Sequence, residues 1–178
     1  MRPLARVFAG LTLVLLIAAG LALWYRPALA PPLPEAPLTA PVDLILIEKS
    51  ARRLSLIRDG KTLRSYSVAL GFDPQGDKER QGDGRTPEGH FVIDRRNGTS
   101  AYRLSLGLDY PQKDDIARGR AGGYDPGGDI MIHGQPNALP EDVVLQSDWT
   151  AGCIAVSNAE IEEIWSVAPT GTPVEIRP

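Results

Sequence analysis

A disulfide needs two thiols, and this chain of 178 residues has one cysteine, Cys153. An intramolecular bridge is excluded, and in an oxidising compartment a lone thiol is either incidental or a reactive nucleophile. Histidine is almost as scarce, with His90 and His133 the only two. Basic excess is missing: 19 Lys+Arg stand against 22 Asp+Glu, and from Val42 onward 16 stand against 21. No basic stripe or block is present to neutralise phosphates, so nucleic acid is not an expected partner. Asp73, Asp77, Glu79 and Asp83 lack the alternating spacing and following glycine of a calcium loop. Gly82-Asp83-Gly84 lacks the third glycine and the strand–helix setting of a dinucleotide site.

What is present begins with an export signal. Arg2 and Arg6 precede an uncharged apolar run, Val7 to Tyr25, long enough to cross a bilayer as a helix, and Arg26 follows. Positive charge on the short N-terminal side predicts that this end stays in the cytoplasm. Two readings stay open. Residues 1–26 are a retained transmembrane anchor in the inner membrane, through residues 7–25, with the rest in the periplasm, or they are a signal peptide cut near Ala28-Leu29-Ala30. The length of the run and Pro31 after the cut favour the anchor. From Pro27 to Pro41 the composition favours extended polyproline II, a spacer of residues 27–41. Residues 42–177 are then one domain, large enough to bury a core.

That domain reads as strand-rich. Strands are expected at Val42 to Ile47, Arg53 to Arg58 and Thr62 to Leu70, the last two joined by an Asp59-Gly60 hairpin. Further strands are expected at Gly89 to Asp94, Tyr102 to Leu106 and Val174 to Ile176. Gly71 to Gly89 reads as a long exposed loop. Ser157-Asn158-Ala159-Glu160 has the form of a capping box, followed by Ile161, Ile164, Trp165 and Ala168 at helical spacing, and Pro169 and Gly171 stop the helix. Pro140 to Leu145 is expected to form another short helix.

The chemistry centres on two residues. His133 follows Ile130-Met131-Ile132, which places it at the end of a strand. Cys153 follows Gly152, a residue that lets backbone approach a substrate closely and frees an amide for a developing oxyanion. An imidazole within reach of a thiol takes its proton and later protonates a leaving amine. His90, in Pro87-Glu88-Gly89-His90-Phe91, reads as an ordinary strand residue. From the residues alone, a buried thiol and an unrelated histidine remain an open alternative. Tyr102, Tyr110 and Tyr124 are candidates to line the cleft.

His133-Gly134 followed after sixteen residues by Thr150-Ala151-Gly152-Cys153-Ile154 resembles the L,D-transpeptidase catalytic domain, whose signature is His and then Ser/Thr-x-Gly-Cys-aliphatic. The likeness includes Val68-Ala69-Leu70-Gly71, Gly84-Arg85-Thr86-Pro87-Glu88-Gly89, Gly128-Asp129-Ile130 and Gly171-Thr172-Pro173-Val174. It departs at Ala151, where many members carry a second histidine, and at Ala155, where they carry arginine or asparagine.

The resemblance implies a mainly β fold, an L,D-transpeptidase-like β-sandwich with a few short helices, behind the N-terminal transmembrane helix. It implies a Cys153 nucleophile and a His133 base, with backbone support from Gly152, Thr150 and Gly134 and an oxyanion held by amides near Gly152 and Cys153. A backbone carbonyl would fix the imidazole tautomer. The implied substrates are peptidoglycan stem peptides, with an amine acceptor on a second stem or a wall-anchored protein. No metal or organic cofactor is required. Two alternatives stay open: a hydrolase on the same fold, acting as L,D-carboxypeptidase or releasing a wall-anchored protein, and a non-catalytic wall-binding module.

Overall fold

A computed structural model describes Ala28–Leu29 and residues 36–178. The expected transmembrane segment, 1–26, lies outside the described residues, as do Pro27 and residues 30–35 of the proline-rich spacer. The strands are β1 (Ala28–Leu29), β2 (Leu44–Glu48), β3 (Arg53–Arg58), β4 (Lys61–Ser67), β5 (Gly89–Asn97), β6 (Ser105–Leu108), β7 (Met131–His133), β8 (Val143–Val144), β9 (Ile154–Ala155) and β10 (Pro173–Arg177). Two helices, α1 (Lys113–Gly122) and α2 (Asn158–Val167), complete the described elements.

Eight strands form one sheet in the order β4-β3-β2-β10-β5-β6-β7-β9. The expected sandwich is therefore a single curled sheet whose two edges meet. Beyond β4 the chain crosses to the far edge, where Ala69 exchanges both backbone hydrogen bonds with Ala155 at 2.8 and 2.9 Å. Phe72 N donates to Thr150 O and Thr150 N to Leu70 O on the same seam. Closure satisfies edge groups that would otherwise pair with other chains, and it brings the Gly71 loop against the segment that holds Cys153.

Alternation at period two decides which side chains enter the curl. Ile45 and Ile47 on β2, Leu54 and Leu56 on β3, Ile132 on β7, Ile154 on β9 and Ile176 on β10 are all buried. Helix α2 contributes Ile161, Ile164 and Val167 at helical spacing. Its capping box forms as its sequence predicts, with Ser157 Oγ accepting from Glu160 N and Glu160 Oε2 accepting from Ser157 N at 2.8 Å. The β3–β4 hairpin turns at Asp59 and Gly60, with φ of 52° and 70°, the left-handed pair that matches strand twist.

Three expectations need correction. The strand placed at Tyr102 to Leu106 begins only at Ser105, because the chain turns at Arg103 with a φ of 65°. Pro140 to Leu145 is not helical: Val143 N closes a turn on Pro140 O, and Val143–Val144 pairs with Ala28–Leu29. The loop from Gly71 to Gly89 is pegged rather than simply exposed. Lys49 Nζ reaches the carbonyls of Gly76 and Thr86 and the Glu88 carboxylate, and the buried Lys78 binds Asp83. Helix α1 was not expected, since its one large apolar residue, Ile116, is exposed and leaves no apolar stripe.

Candidate active site

Parallel pairing of β7 with β9 sets Ile132 beside Ile154 and His133 beside Ala155. Ile132 and Ile154 are fully buried in the core, so alternation turns Met131, His133 and Cys153 to the opposite face. There they line one cleft of about 650 Å³, together with Asn97, Tyr102, Trp149 and others. On its other side, Cys153 lines a second cleft of about 470 Å³ with Lys78, Gln81 and the backbone of Gly127 and Gly128. Asp129 and Ala151 border both. The thiol stands at the junction.

His133 is buried and held by its neighbours. Its Nδ1 lies 2.7 Å from Gly134 O; a carbonyl only accepts, so Nδ1 carries the proton and Nε2 keeps its lone pair. A side chain at position 134 would have its Cβ 2.7 Å from Asn158 Oδ1 and 2.9 Å from Arg103 Cβ. Glycine is thus the residue that lets the carbonyl sit there. The Tyr102 ring packs on the imidazole at 4.7 Å and Trp149 meets it edge-on at 5.7 Å. Burial pushes the imidazole pKa down, and the Gly134 hydrogen bond only partly opposes this.

The segment before Cys153 is shaped by Thr150. Its buried hydroxyl donates to Cys153 O at 2.7 Å and accepts from Gly152 N at 3.1 Å. Gly152 has a φ of 139°, and a Cβ there would lie 2.7 Å from Arg85 O. Asp148 ties the same segment to the far edge of the sheet, accepting from Arg52 and from Leu70 N. The half-buried thiol donates to Asp129 O at 3.4 Å. Burial pushes its pKa up; a hydrogen bond from the Met131 backbone and the charges of Lys78 and Arg95 pull the other way, while Asp129 adds to the rise. Imidazole and thiol are both biased toward their neutral forms.

The structure thus brings His133, Cys153, Thr150, Gly152 and Gly134 into one neighbourhood. Of the three candidate tyrosines only Tyr102 lines the cleft; Tyr110 is buried and donates to Pro126 O, and Tyr124 lies beneath Arg80. His90 sits exposed on β5 opposite Glu175. Trp149, Asp148, Asp129 and Lys78 were not foreseen. Trp149 and Asp148 had one signal, adjacency to Thr150; Asp129 had its place in the family-like Gly128-Asp129-Ile130 segment, and Lys78 had none strong enough to separate it from solvated polar residues.

A curled sheet with an imidazole at the end of one strand and a thiol just ahead of the neighbouring strand, both lining one cleft, defines the class, a domain of the L,D-transpeptidase kind. Residues 42–176 match the YkuD family model, the L,D-transpeptidase catalytic domain, and the chain belongs to that family. It is 31% identical over 127 residues to YafK of Escherichia coli K12, covering 68% of this chain and 45% of YafK. It is 31% identical over 147 residues to YqjB of Bacillus subtilis 168, covering 82% and 76%. Both names assign those proteins provisionally to the L,D-transpeptidases. Among solved structures, the helical cell shape determining protein Pgp2 of Campylobacter jejuni is similar, with 27% identity and a TM-score of 0.59 over 76% of this chain and 47% of that one. Bd1075 of Bdellovibrio bacteriovorus is similar at 25% identity and a TM-score of 0.54, over 85% and 52%. The chain spans under half the length of YafK and of Pgp2.

Proposed function

We propose that this protein is a peptidoglycan L,D-transpeptidase whose nucleophile is Cys153. One observation carries the reading: His133 and Cys153 line the same cleft, with the imidazole held in the tautomer that leaves Nε2 free as a base. Sγ attacks the carbonyl of the diamino acid at position three of a tetrapeptide stem while Nε2 takes the thiol proton. Collapse of the oxyanion breaks the bond to the terminal D-alanine, whose amine leaves with that proton, and a thioester remains. An amine from a second stem or a wall-anchored protein then attacks the thioester and gives its proton to Nε2. Collapse expels the thiolate, which recovers the proton as thiol.

Burial supports proton transfer during attack rather than a standing ion pair, because it disfavours both charged partners. The Gly152 N–H is engaged by Thr150 Oγ1, so the amide of Cys153 is the oxyanion donor in this reading, and Thr150, Gly152 and Gly134 act by fixing backbone shape. The run Val7 to Tyr25 anchors the chain in the inner membrane, and the proline-rich spacer lifts the domain toward the wall on the periplasmic side.

Hydrolysis is the second reading: the similar Pgp2 is a helical cell shape determining protein, a description that does not require cross-linking, and water can resolve the same thioester. Water would then replace the amine, giving L,D-carboxypeptidase activity or release of a wall-anchored protein. Mass spectrometry of wall fragments incubated with the purified protein separates these. New cross-linked dimers support the transpeptidase; shortened or released products alone support the hydrolase. Identical products from wild type and Cys153→Ala would reduce the domain to a wall-binding module.

A further inference from the structure

The thiol of Cys153 is oriented by a residue outside its own segment. Its hydrogen bond goes to the main-chain carbonyl of Asp129, and Asp129 has a φ of 54°, a left-handed conformation uncommon for a residue with a side chain. Aspartate is among the few that tolerate it. The Asp129 side chain is 90% exposed, so packing does not hold it. Among the described residues its side chain meets Arg95, whose Nη2 donates to Asp129 Oδ1 at 3.0 Å, while Nη1 donates to both oxygens of Asp94.

Arg95 lies on β5 and Asp129 just ahead of β7, so the guanidinium must cross the strand between them. It crosses β6 at Gly107, which pairs with Arg95 on one side and Met131 on the other. A Cβ on Gly107 would stand 2.5 Å from Arg95 Cγ and 2.8 Å from Cζ and Nε. Glycine clears the lane. The β5–β6 register also shifts between Ile93 and Arg95, the kind of bulge that re-aims a side chain.

We propose that Arg95 and Asp129 form a positioning strut for the nucleophile: the ion pair, laid across Gly107, keeps residue 129 left-handed so that its carbonyl holds the Cys153 thiol at the junction of the two clefts. The proposal rests on Cys153 being the nucleophile. So exposed a pair adds little to stability; its contribution is geometric. The charged and titratable groups around the thiol are Lys78 from the Gly71 loop, Arg95 from β5, Asp129, and His133 from β7. Removing Arg95 alters charge and hydrogen bonding together, so a pH profile mixes the two effects. The infrared S–H stretch does not. Cys153 is the only thiol in the chain, and its single band reports its hydrogen bond directly.

The experiment uses the full chain with Arg95→Met, Asp129→Ala and the double variant, alanine removing the carboxylate to which the guanidinium donates. Each single variant moves the S–H band to higher wavenumber, and the double variant moves it no further. On a tetrapeptide stem with an acceptor amine, kcat falls by about tenfold, while KM and the melting temperature stay at the wild-type values. A band that stays in place in both folded single variants overturns the strut, and so does a band that moves with kcat unchanged. A wild-type protein that releases D-alanine but forms no cross-link, with the band and kcat responding as described, refutes the transpeptidase reading and leaves the strut standing, because Cys153 is still the nucleophile.

Discussion

The two clefts beside Cys153 are built differently. On the His133 side the walls are rings, Tyr102 and Trp149 packed around a desolvated imidazole. On the Lys78 side the walls are glycine backbone and a loop knotted by charge: Asp83 accepts from Lys78 and from the amides of Glu79, Arg80 and Arg85. The contrast separates two tasks. Aromatic packing desolvates the imidazole and biases it toward its neutral form, whereas on the other side backbone and a charge-pinned loop leave polar groups facing the second cleft.

Breaking the ring-walled side is expected to remove chemistry, and breaking the loop side to remove stability. The largest effect belongs to the pair itself. Cys153→Ala is expected to abolish product formation, and His133→Ala to lower kcat by roughly a hundredfold to ten-thousandfold, both with far-ultraviolet circular dichroism unchanged. On the opposite side, Asp83→Asn is expected to cost about 2–3 kcal/mol in urea unfolding. Burial raises the Asp83 pKa, but Lys78 and the three amides outweigh it and hold the carboxyl at about 2. A depressed carboxylate stabilises the fold above its unfolded value and loses that contribution as pH falls from about 4 toward 2. The variant should lack that part of the acid transition.

Gly134→Ala sharpens the comparison, since the new Cβ would press on Asn158 and Arg103 and shift the carbonyl that holds the imidazole. A loss of about 1–3 kcal/mol together with reduced kcat is expected; a loss of stability with full activity would show that the carbonyl does not position the ring. The smallest effect is in the pH dependence of stability. The folded His133 pKa is lowered, so the unfolded chain binds a proton first as pH drops below about 6.5, and stability falls there. The folded Cys153 pKa is raised, so the unfolded thiol ionises first above about 8.5, and stability falls on that side. Cys153→Ala should flatten the alkaline limb alone.

Patterns that depend on near neighbours were legible in the sequence. The Asp59-Gly60 turn, the Ser157 to Glu160 cap and the β3 strand at Arg53–Arg58 stand where local chemistry puts them. His133 and Cys153 were legible as candidates because both residue types are rare here and each stands beside a glycine. What escaped depends on contacts across the sheet. The meeting of the two edges at Ala69 and Ala155, the burial of Lys78 against Asp83 and the reach of Arg95 over Gly107 leave no mark within a short window. Helix α1 escaped because an exposed helix needs no apolar stripe, and Val143–Val144 became strand because a partner segment was at hand.

The central claim is that Cys153 is the acylated nucleophile, and intact-protein mass after mixing with a tetrapeptide stem tests it most directly. The account predicts a gain equal to the acyl tripeptide, located on the peptide that contains Cys153 and absent from Cys153→Ala. Release of D-alanine by the alanine variant, or an adduct on any other residue, would contradict it.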